Sequence, residues 1–399
     1  MSLKVCGYWS KLNHLEQLLA LPLPLQQLQL DFGPYQLCGV REISISHLTA
    51  LTELSAPDWG DVLTLQLPMQ LQTLQLGAPY SDQFDALSRL QQLRCLSIGV
   101  VDPEKEPLLH LAQLPALQEL SLRYDTGDVV AAAATAPVWC KLPQLRGLFV
   151  GYESSSVTDR QLAKITSGLA AATGLTKLQL TGESCHHGEE PMYAHSESES
   201  ETALEQYAYP CSLCRSLARL TRLRDLSIVT GLRAPEMSSG CWLRAEGVQA
   251  LTALTELTRL VLVNRDGRFQ HWPGDRDVVA LVSGMAAAQL RELELEYFDT
   301  YSAQCMATIS RMTQLTRLWL PGSEQWQDDA SQRELLLLSG LSSLRRLLLY
   351  SVEEVADGVM KGLRASLPQA GVWWRKWVDE FEEWRRNSES ECGSDWRSE

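Results

Sequence analysis

Long apolar runs, surplus positive charge and closely spaced cysteines are what this sequence has least of, and each shortage argues against a class of function. No stretch of the 399 residues approaches the ~20 apolar residues that a membrane-spanning helix needs. Near the start, the nearest thing to the apolar core of a secretory leader is Leu18 to Leu25, which is short and interrupted by Pro22 and Pro24. Lys and Arg total 35 against 49 Asp and Glu, a net charge of -14. Such an acidic balance argues against nucleic acid as the main ligand, because phosphate binding needs clustered cations, and against an anionic membrane surface. The 10 cysteines are widely spaced and form a single CxxC. That spacing suits a reducing compartment in which thiols act as small buried hydrophobes, so the expected location is cytoplasmic, with a cytoskeletal or ciliary association as the alternative. Chemistry is also short of instruments: there is no HExxH, no phosphate-binding Gly-rich loop and no nucleophile–base set. Neither an enzyme nor a cofactor is expected.

What is present is a repeat. The pattern is Leu, two variable residues, Leu, one variable residue, then Leu, Ile or Val. It starts at Leu25 (LQQLQL), Leu71 (LQTLQL), Leu93 (LRCLSI), Leu117 (LQELSL), Leu145 (LRGLFV) and Leu175 (LTKLQL). It returns at Leu223 (LRDLSI), Leu257 (LTRLVL), Leu290 (LRELEL), Leu315 (LTRLWL) and Leu344 (LRRLLL), with a weaker copy at Leu51 (LTELSA). VREISI at Val40 reads as a degenerate copy. Ahead of most copies the leucines continue at spacing three, as in LSRLQQLRCLSI.

The terminal Leu-x-Leu has the period of two of a strand, and the approach to it has the spacing of a turn or helix. One such unit cannot bury its apolar side alone, so the units must stack. Short repeats such as Leu71 to Leu93 leave room on the convex side for turns or a 3₁₀ segment only. Longer ones such as Leu145 to Leu175 and Leu257 to Leu290 can hold a helix, the first through Leu162, Ile165 and Leu169. Val352, Val355, Val359 and Leu363 make a further helical stripe, halted near Pro368.

These motifs resemble the leucine-rich-repeat family over residues 18 to about 370. The resemblance implies an α/β solenoid: a curved parallel sheet on the concave face, with helices, 3₁₀ segments and turns on the convex face. The family's common continuation, LxxLxLxxN, is largely missing, so the resemblance carries fold and not function. The organisation expected is an N-terminal cap over 1–24 and the array over 25–370, with a disordered insertion at about 181–212. An amphipathic capping helix over 371–387 and a disordered acidic tail over 388–399 follow. The helix expectation rests on Trp373, Trp377, Phe381 and Trp384 recurring at helical spacing.

The third and fifth residues of LxxLxL, and the residue after it, should face out of the sheet. Third positions from Leu175 onward read Lys177, Asp225, Arg259, Glu292, Arg317 and Arg346, which predicts a ladder of cross-strand ion pairs. Aromatics at or just after outward positions are Tyr124, Phe149, Tyr152, Tyr297, Trp319 and Tyr350, with Glu294 and Glu296 beside Tyr297. Large aromatics set among charges anchor protein interfaces. The expected function is a non-catalytic, monomeric scaffold that binds a protein with a basic, partly apolar segment on this face. The alternatives are a substrate-recognition subunit of a ubiquitin ligase and an assembly component of a cytoskeletal or ciliary complex.

The widest gap, from Leu175 to Leu223, contains HGE at His187 and PCSLC at Pro210, which resembles the H-x-E…P-C-x-x-C signature of zinc deaminases. Both ends of the gap are committed to repeats, and the linker is Ser/Glu-rich, so a loop is the expected reading. A structural metal clip would use Cys185, His187, Cys211 and Cys214, or His195 in place of one of them.

Overall fold

Leucines three apart share one side of the chain when each step closes a tight turn. In the repeat ending at Ile98, the Leu90 N–H donates to the Leu87 carbonyl (2.9 Å) and the Leu93 N–H to the Leu90 carbonyl (3.0 Å). Turns of this i→i+3 kind align side chains three apart. Leu96 and Ile98 then continue inward with the strand's period of two. All five of these residues are at most 2% exposed. The column recurs as Leu111, Leu114, Leu117, Leu120 and Leu122, and later as Leu251, Leu254, Leu257, Leu260 and Leu262. Full burial of one such leucine contributes about 1.5–3 kcal/mol, so these columns are the core.

The computed structural model describes residues 1–6, 21, 23–31, 42–57, 64–77, 81–100, 111–124, 136–152, 168–182, 212–230, 245–264, 275–285, 289–296, 302–320, 332–351 and 355–376. The chain forms two units: Met1–Leu223 with Thr230–Trp242, and Arg224–Val229 with Leu243–Glu399.

In the first unit the strands are β1 (Ser2–Cys6), β2 (Gln27–Asp31), β3 (Glu42–Ser44), β4 (Glu53–Ala56), β5 (Thr64–Gln66), β6 (Thr73–Leu76), β7 (Cys95–Val100), β8 (Glu119–Tyr124), β9 (Gly147–Tyr152) and β10 (Lys177–Gly182). Its main sheet has the order β1-β2-β4-β6-β7-β8-β9-β10, and neighbours are parallel throughout. Strands β3 and β5 form a separate parallel pair. In the second unit the strands are β11 (Asp225–Thr230), β12 (Arg259–Asn264), β13 (Glu292–Glu296), β14 (Arg317–Leu320), β15 (Arg346–Ser351) and β16 (Gly371–Lys376), in sequential order. Here β12 to β16 pair parallel. Each unit is thus an α/β leucine-rich-repeat array.

Described helices are α1 (Ser81–Ser88), α2 (Ser212–Leu217), α3 (Ala245–Val248), α4 (Asp275–Met285), α5 (Ala303–Ile309) and α6 (Asp357–Ser366), with 3₁₀ turns at Ala136–Lys141, Gln249–Ala253 and Glu334–Gly340.

The seam between repeats is the same wherever it is described, except at β16, where the Arg345 carbonyl takes Gly371 N–H alone (2.8 Å). The carbonyl of the motif's second residue accepts two N–H groups from the next repeat. The Gln72 carbonyl takes Arg94 N–H (2.8 Å) and Cys95 N–H (3.0 Å), and the Thr258 carbonyl takes Arg291 N–H (2.8 Å) and Glu292 N–H (3.0 Å). Where the second residue is Thr, its hydroxyl joins the same acceptor: Thr176 Oγ1 donates to the Arg146 carbonyl (3.1 Å), and Thr316 Oγ1 to the Arg291 carbonyl (3.0 Å). Backbone and Thr thus hold each repeat to the last at the strand's entry. This accounts for the recurring LT at the head of the motif.

Four expectations change. The array does not begin after an N-terminal cap over 1–24: Ser2–Cys6 is already a strand, in parallel register with β2 from Ser2↔Gln27 to Cys6↔Asp31. Leu3 and Val5 alternate as a strand requires, but no leucine column announces them. VREISI is not a copy of the main-sheet strand, because its Glu42–Ser44 pairs with Thr64–Gln66 in the separate sheet. The short repeat before Leu93 holds more than turns. Its α1 spans eight residues, about 12 Å at the helical rise, and buries Phe84 and Leu87. Finally, residues 371–387 are not one amphipathic helix. Gly371–Lys376 is strand β16, paired parallel with β15. Val372 is buried and Trp374 hides its Nε1, so these two residues fill the inward positions that Leu fills elsewhere. The rest of that expectation, 377–387, lies outside the described residues, as do 388–399, Leu162, Ile165, Val352 and most of the 181–212 insertion. Thr181 and Gly182 close β10, and Ser212 opens α2.

Candidate functional site

The third positions of the second unit form the expected ladder. Asp225 Oδ1 accepts from Arg259 Nη1 at 2.8 Å, Arg259 Nε lies 3.3 Å from Glu292 Oε2, and that oxygen lies 3.3 Å from Arg317 Nη1. Strand register places these residues abreast: Arg259↔Glu292↔Arg317. The pairs are about a third exposed, so each is worth ~0–1 kcal/mol in water. Glu292 serves two arginines, and Glu292→Gln is expected to cost about 1 kcal/mol, with the loss shrinking in 1 M NaCl. Urea unfolding at both salt concentrations checks this; an effect independent of salt would mean that packing and not charge is lost.

The ladder ends in like charge. Arg317 aligns with Arg346, and Arg346 with Gly371. Arg346 is exposed and forms no ion pair among the described residues. Asp225 and Glu292 are neutralised by their arginines, and Glu294 and Glu296 are engaged in interactions of their own. The net charge this row offers at β15 is therefore positive.

The fifth positions run alongside, in the register Val261↔Glu294↔Trp319↔Leu348↔Trp373. Val261 is buried, Glu294, Trp319 and Leu348 are half-buried, and Trp373 is 50% exposed. The Arg317 guanidinium carbon stands 5.6 Å from the centroid of the Trp319 ring, within cation–π range. Gly371 has no side chain, and a Cβ there would overlap the Trp373 indole, so that ring folds back along its own strand over Gly371. Three adjoining strands thus present a continuous apolar row, Trp319–Leu348–Trp373, beside Arg317 and Arg346. Sequence reading placed Trp319, Arg317, Arg346, Arg259, Glu292, Glu294 and Glu296 on this face. It missed Leu348, because a leucine within a leucine motif reads as core, and Trp373, because it was assigned to a helix. A signal for Leu348 existed: most other fifth positions carry Ser, Gln or Glu, and it is the one Leu among them. Tyr297 and the side chain of Tyr350 lie outside the described residues.

In the first unit the outward face holds a shallow trough of about 330 Å³, lined by Thr73, Gln75, Ser97, Ser121 and Gln179 together with Phe149 and the edges of strand leucines. Phe149 is its aromatic wall. The ring lies near Gly151, whose absent Cβ would sit 3.4 Å from Phe149 Cε1 and 3.5 Å from Arg123 Cγ. Tyr124 and Tyr152 are aligned with each other in β8 and β9; their side chains are not among those described. Cys95 sits in this trough with Sγ 3.9 Å from Glu119 Oε2. Burial, then the Glu119 charge, raises its thiol above the ordinary value.

Of the metal-clip candidates, Cys185, His187, His195 and Cys211 lie outside the described residues. Cys214 is fully buried in α2, at a helix position facing the leucine column. Among the described residues no His, Cys, Asp and Glu cluster could hold a metal. Cys305 is also fully buried, and its environment is built by a cap. Asp275 Oδ1 and Oδ2 accept from Ser302 N–H (2.7 Å) and Oγ (2.6 Å), and Ser302 Oγ accepts from Cys305 N–H at 3.2 Å to start α5. Burial, then the Asp275 charge, pushes the Cys305 thiol up to about 12. Its contribution to stability is complete below pH 9, the unfolded value, and is lost as pH rises toward 12. At pH 8 Cys305 should resist thiol reagents in the folded chain and react only on unfolding; peptide mapping after iodoacetamide treatment checks this.

No helix among the described residues is long and apolar enough to cross a membrane. No protein-family profile matches the chain, and no curated protein is similar to it. Among solved structures it is similar to an internalin from Listeria monocytogenes, with TM-score 0.40 and 15% identity over 84% of this chain and 87% of that one. It is also similar to a chain of the yeast Rad7–Elc1 complex, with TM-score 0.32 and 16% identity over 76% of this chain and 77% of that one.

Proposed function

We propose that this chain is a non-catalytic, cytoplasmic protein-binding scaffold whose partner docks on the outward face of β13–β16. The observation that supports it is the row Trp319–Leu348–Trp373, which places two indoles and a leucine in water beside two arginines. Large apolar side chains on a sheet faced mostly with Ser, Gln and charge cost solubility and contribute nothing to the leucine columns. Trp and Arg are also the residues that most often dominate binding energy. The charge at the row favours an acidic, partly apolar partner segment in place of a basic one, because the acids of the ladder are already neutralised and Arg346 is not.

Trp319→Ala with Leu348→Ser is expected to weaken partner binding by at least 2 kcal/mol, about thirtyfold, with folding retained because neither residue belongs to the leucine columns. Affinity capture of the wild-type and variant chains side by side identifies the partner; titration of that purified partner then gives the ratio. Equal affinities would remove the reading.

A further inference from the structure

We infer that the strand-entry edge of the first unit is a second docking surface, which takes an acidic polypeptide segment. This surface is separate from the row at β13–β16 and does not depend on it.

The turns that lead into β4 and into β6 to β10 contain no Asp or Glu, although acids outnumber cations by 49 to 35 in the whole chain. Their cations recur in pairs. Arg89 and Arg94 stand four residues before and one after Leu93, and Lys141 and Arg146 stand at the same offsets from Leu145. Arg219 and Arg222 follow in the turn that ends at Leu223. All six are exposed, and none forms an ion pair among the described residues. Asp85 of α1 and Glu119 of β8 border this edge without pairing with them. Acids follow the strands instead, Asp102 and Glu104 after β7 and Asp125 and Asp128 after β8. The sum over the chain therefore conceals a basic edge.

The seam fixes the base of two of these side chains. The Arg94 carbonyl accepts Gln118 N–H (2.8 Å) and Glu119 N–H (2.9 Å), and the Arg146 carbonyl accepts Thr176 N–H (2.8 Å) and Lys177 N–H (2.9 Å). Arg146 also bonds from Nη1 to the Gly174 carbonyl (3.1 Å). Both backbones are held while the side chains stay in water. Strand β8 lies between β7 and β9, so the two cation pairs are about 10 Å apart. Residues three apart in an extended segment span a similar ~10 Å, so a carboxylate at every third residue meets successive pairs. Guanidinium also matches carboxylate two hydrogen bonds at a time. A nucleic acid fits less well. It carries one charge for every ~3.4 Å of each strand, and past the edge it meets a chain of net charge -14. A peptide's charge can end where the contact ends.

The test is fluorescence anisotropy of a labelled twelve-residue peptide, Glu-Ser-Ser repeated, titrated with the full chain at about 50 mM NaCl to limit screening. Arg94→Glu with Arg146→Glu should weaken binding by about tenfold or more, and Arg89→Glu with Lys141→Glu should do likewise. Arg94→Lys with Arg146→Lys should stay within about threefold of wild type. The Arg89 and Lys141 variant breaks no side-chain hydrogen bond among the described residues, so a folding defect in the first variant leaves the question answerable. Arg345→Glu with Arg346→Glu makes the same change in net charge on the second unit and should leave the affinity within about twofold. No binding to the wild-type chain, or unchanged affinity in both reversal variants, would overturn the inference. An equal loss in the Arg345 and Arg346 variant would mean that the peptide answers to total charge or to the row, and would overturn it too. Tighter binding of an oligothymidylate of equal length, lost in the same variants, would assign the edge to nucleic acid and overturn the polypeptide form. None of these outcomes alters the Trp319 and Leu348 titration, so the two surfaces fail separately.

Discussion

Leu293→Ala is expected to destabilise the second unit by about 2–5 kcal/mol, a large part of the whole stability of an ordinary domain. Leu293 is 2% exposed at the second position of β13, and register sets it between Leu260 of β12 and Leu318 of β14, both fully buried. Truncation removes three carbons from a position where the flanking strands cannot close up. Their spacing of ~4.8 Å is set by backbone hydrogen bonds and not by the side chains. The cavity term should therefore survive relaxation and push the cost toward the upper end of the range. Urea unfolding followed by circular dichroism gives the midpoint. A loss below 1 kcal/mol would mean that the row can collapse and that the columns are looser than their burial implies.

Trp139→Ala should cost about 3–5 kcal/mol in the first unit. Trp139 is 1% exposed and stands in the 3₁₀ turn Ala136–Lys141, three residues ahead of buried Leu142, in the column position that Leu87 and Leu111 hold in earlier repeats. Its ring is the largest fully buried side chain described. Its Nε1 meets no hydrogen-bond partner among the described residues. A buried, unsatisfied donor costs ~1–3 kcal/mol. Trp139→Phe removes that donor along with some ring volume, so the two changes oppose each other and the phenylalanine chain should stay within about 1.5 kcal/mol of wild type. The two variants measured together separate volume from polarity: equal losses would show that the indole nitrogen has a partner.

The leucine columns and the charge ladder were legible in the sequence for one reason. Spacings of three and two are imprints of the backbone, and third positions of successive parallel strands must lie abreast. What escaped were places where chemistry was substituted within that geometry. Strand β1 uses Leu3 and Val5 without a column, and β16 uses Val372 and Trp374 in place of leucines. The interval from Trp373 to Trp377 imitates a helix, yet the open edge of β15 offers Gly371–Lys376 a full row of backbone partners, and pairing outweighs periodicity. Leu348 was hidden by its own identity. At the site, register could be read ahead, but the neutralisation of Asp225 and Glu292 could not be weighed until distances showed both arginines engaged.

The two ways in which neighbouring repeats join obey different counting rules. At the backbone seam the repeats of β12 to β15 each give two N–H groups to one carbonyl of the repeat before, so within this stretch the main chain lets one repeat follow another. Excising the β12 repeat would hand the Arg224 carbonyl, which now serves Thr258 and Arg259, to Arg291 and Glu292 with no group orphaned. The side chains above are less permissive. Asp225, Arg259, Glu292 and Arg317 alternate in sign, so losing one repeat sets Asp225 against Glu292, whereas losing two restores an attractive neighbour. Length in this stretch can therefore change by duplication or deletion most easily in even steps: the main chain is indifferent to parity, and the charges keep count.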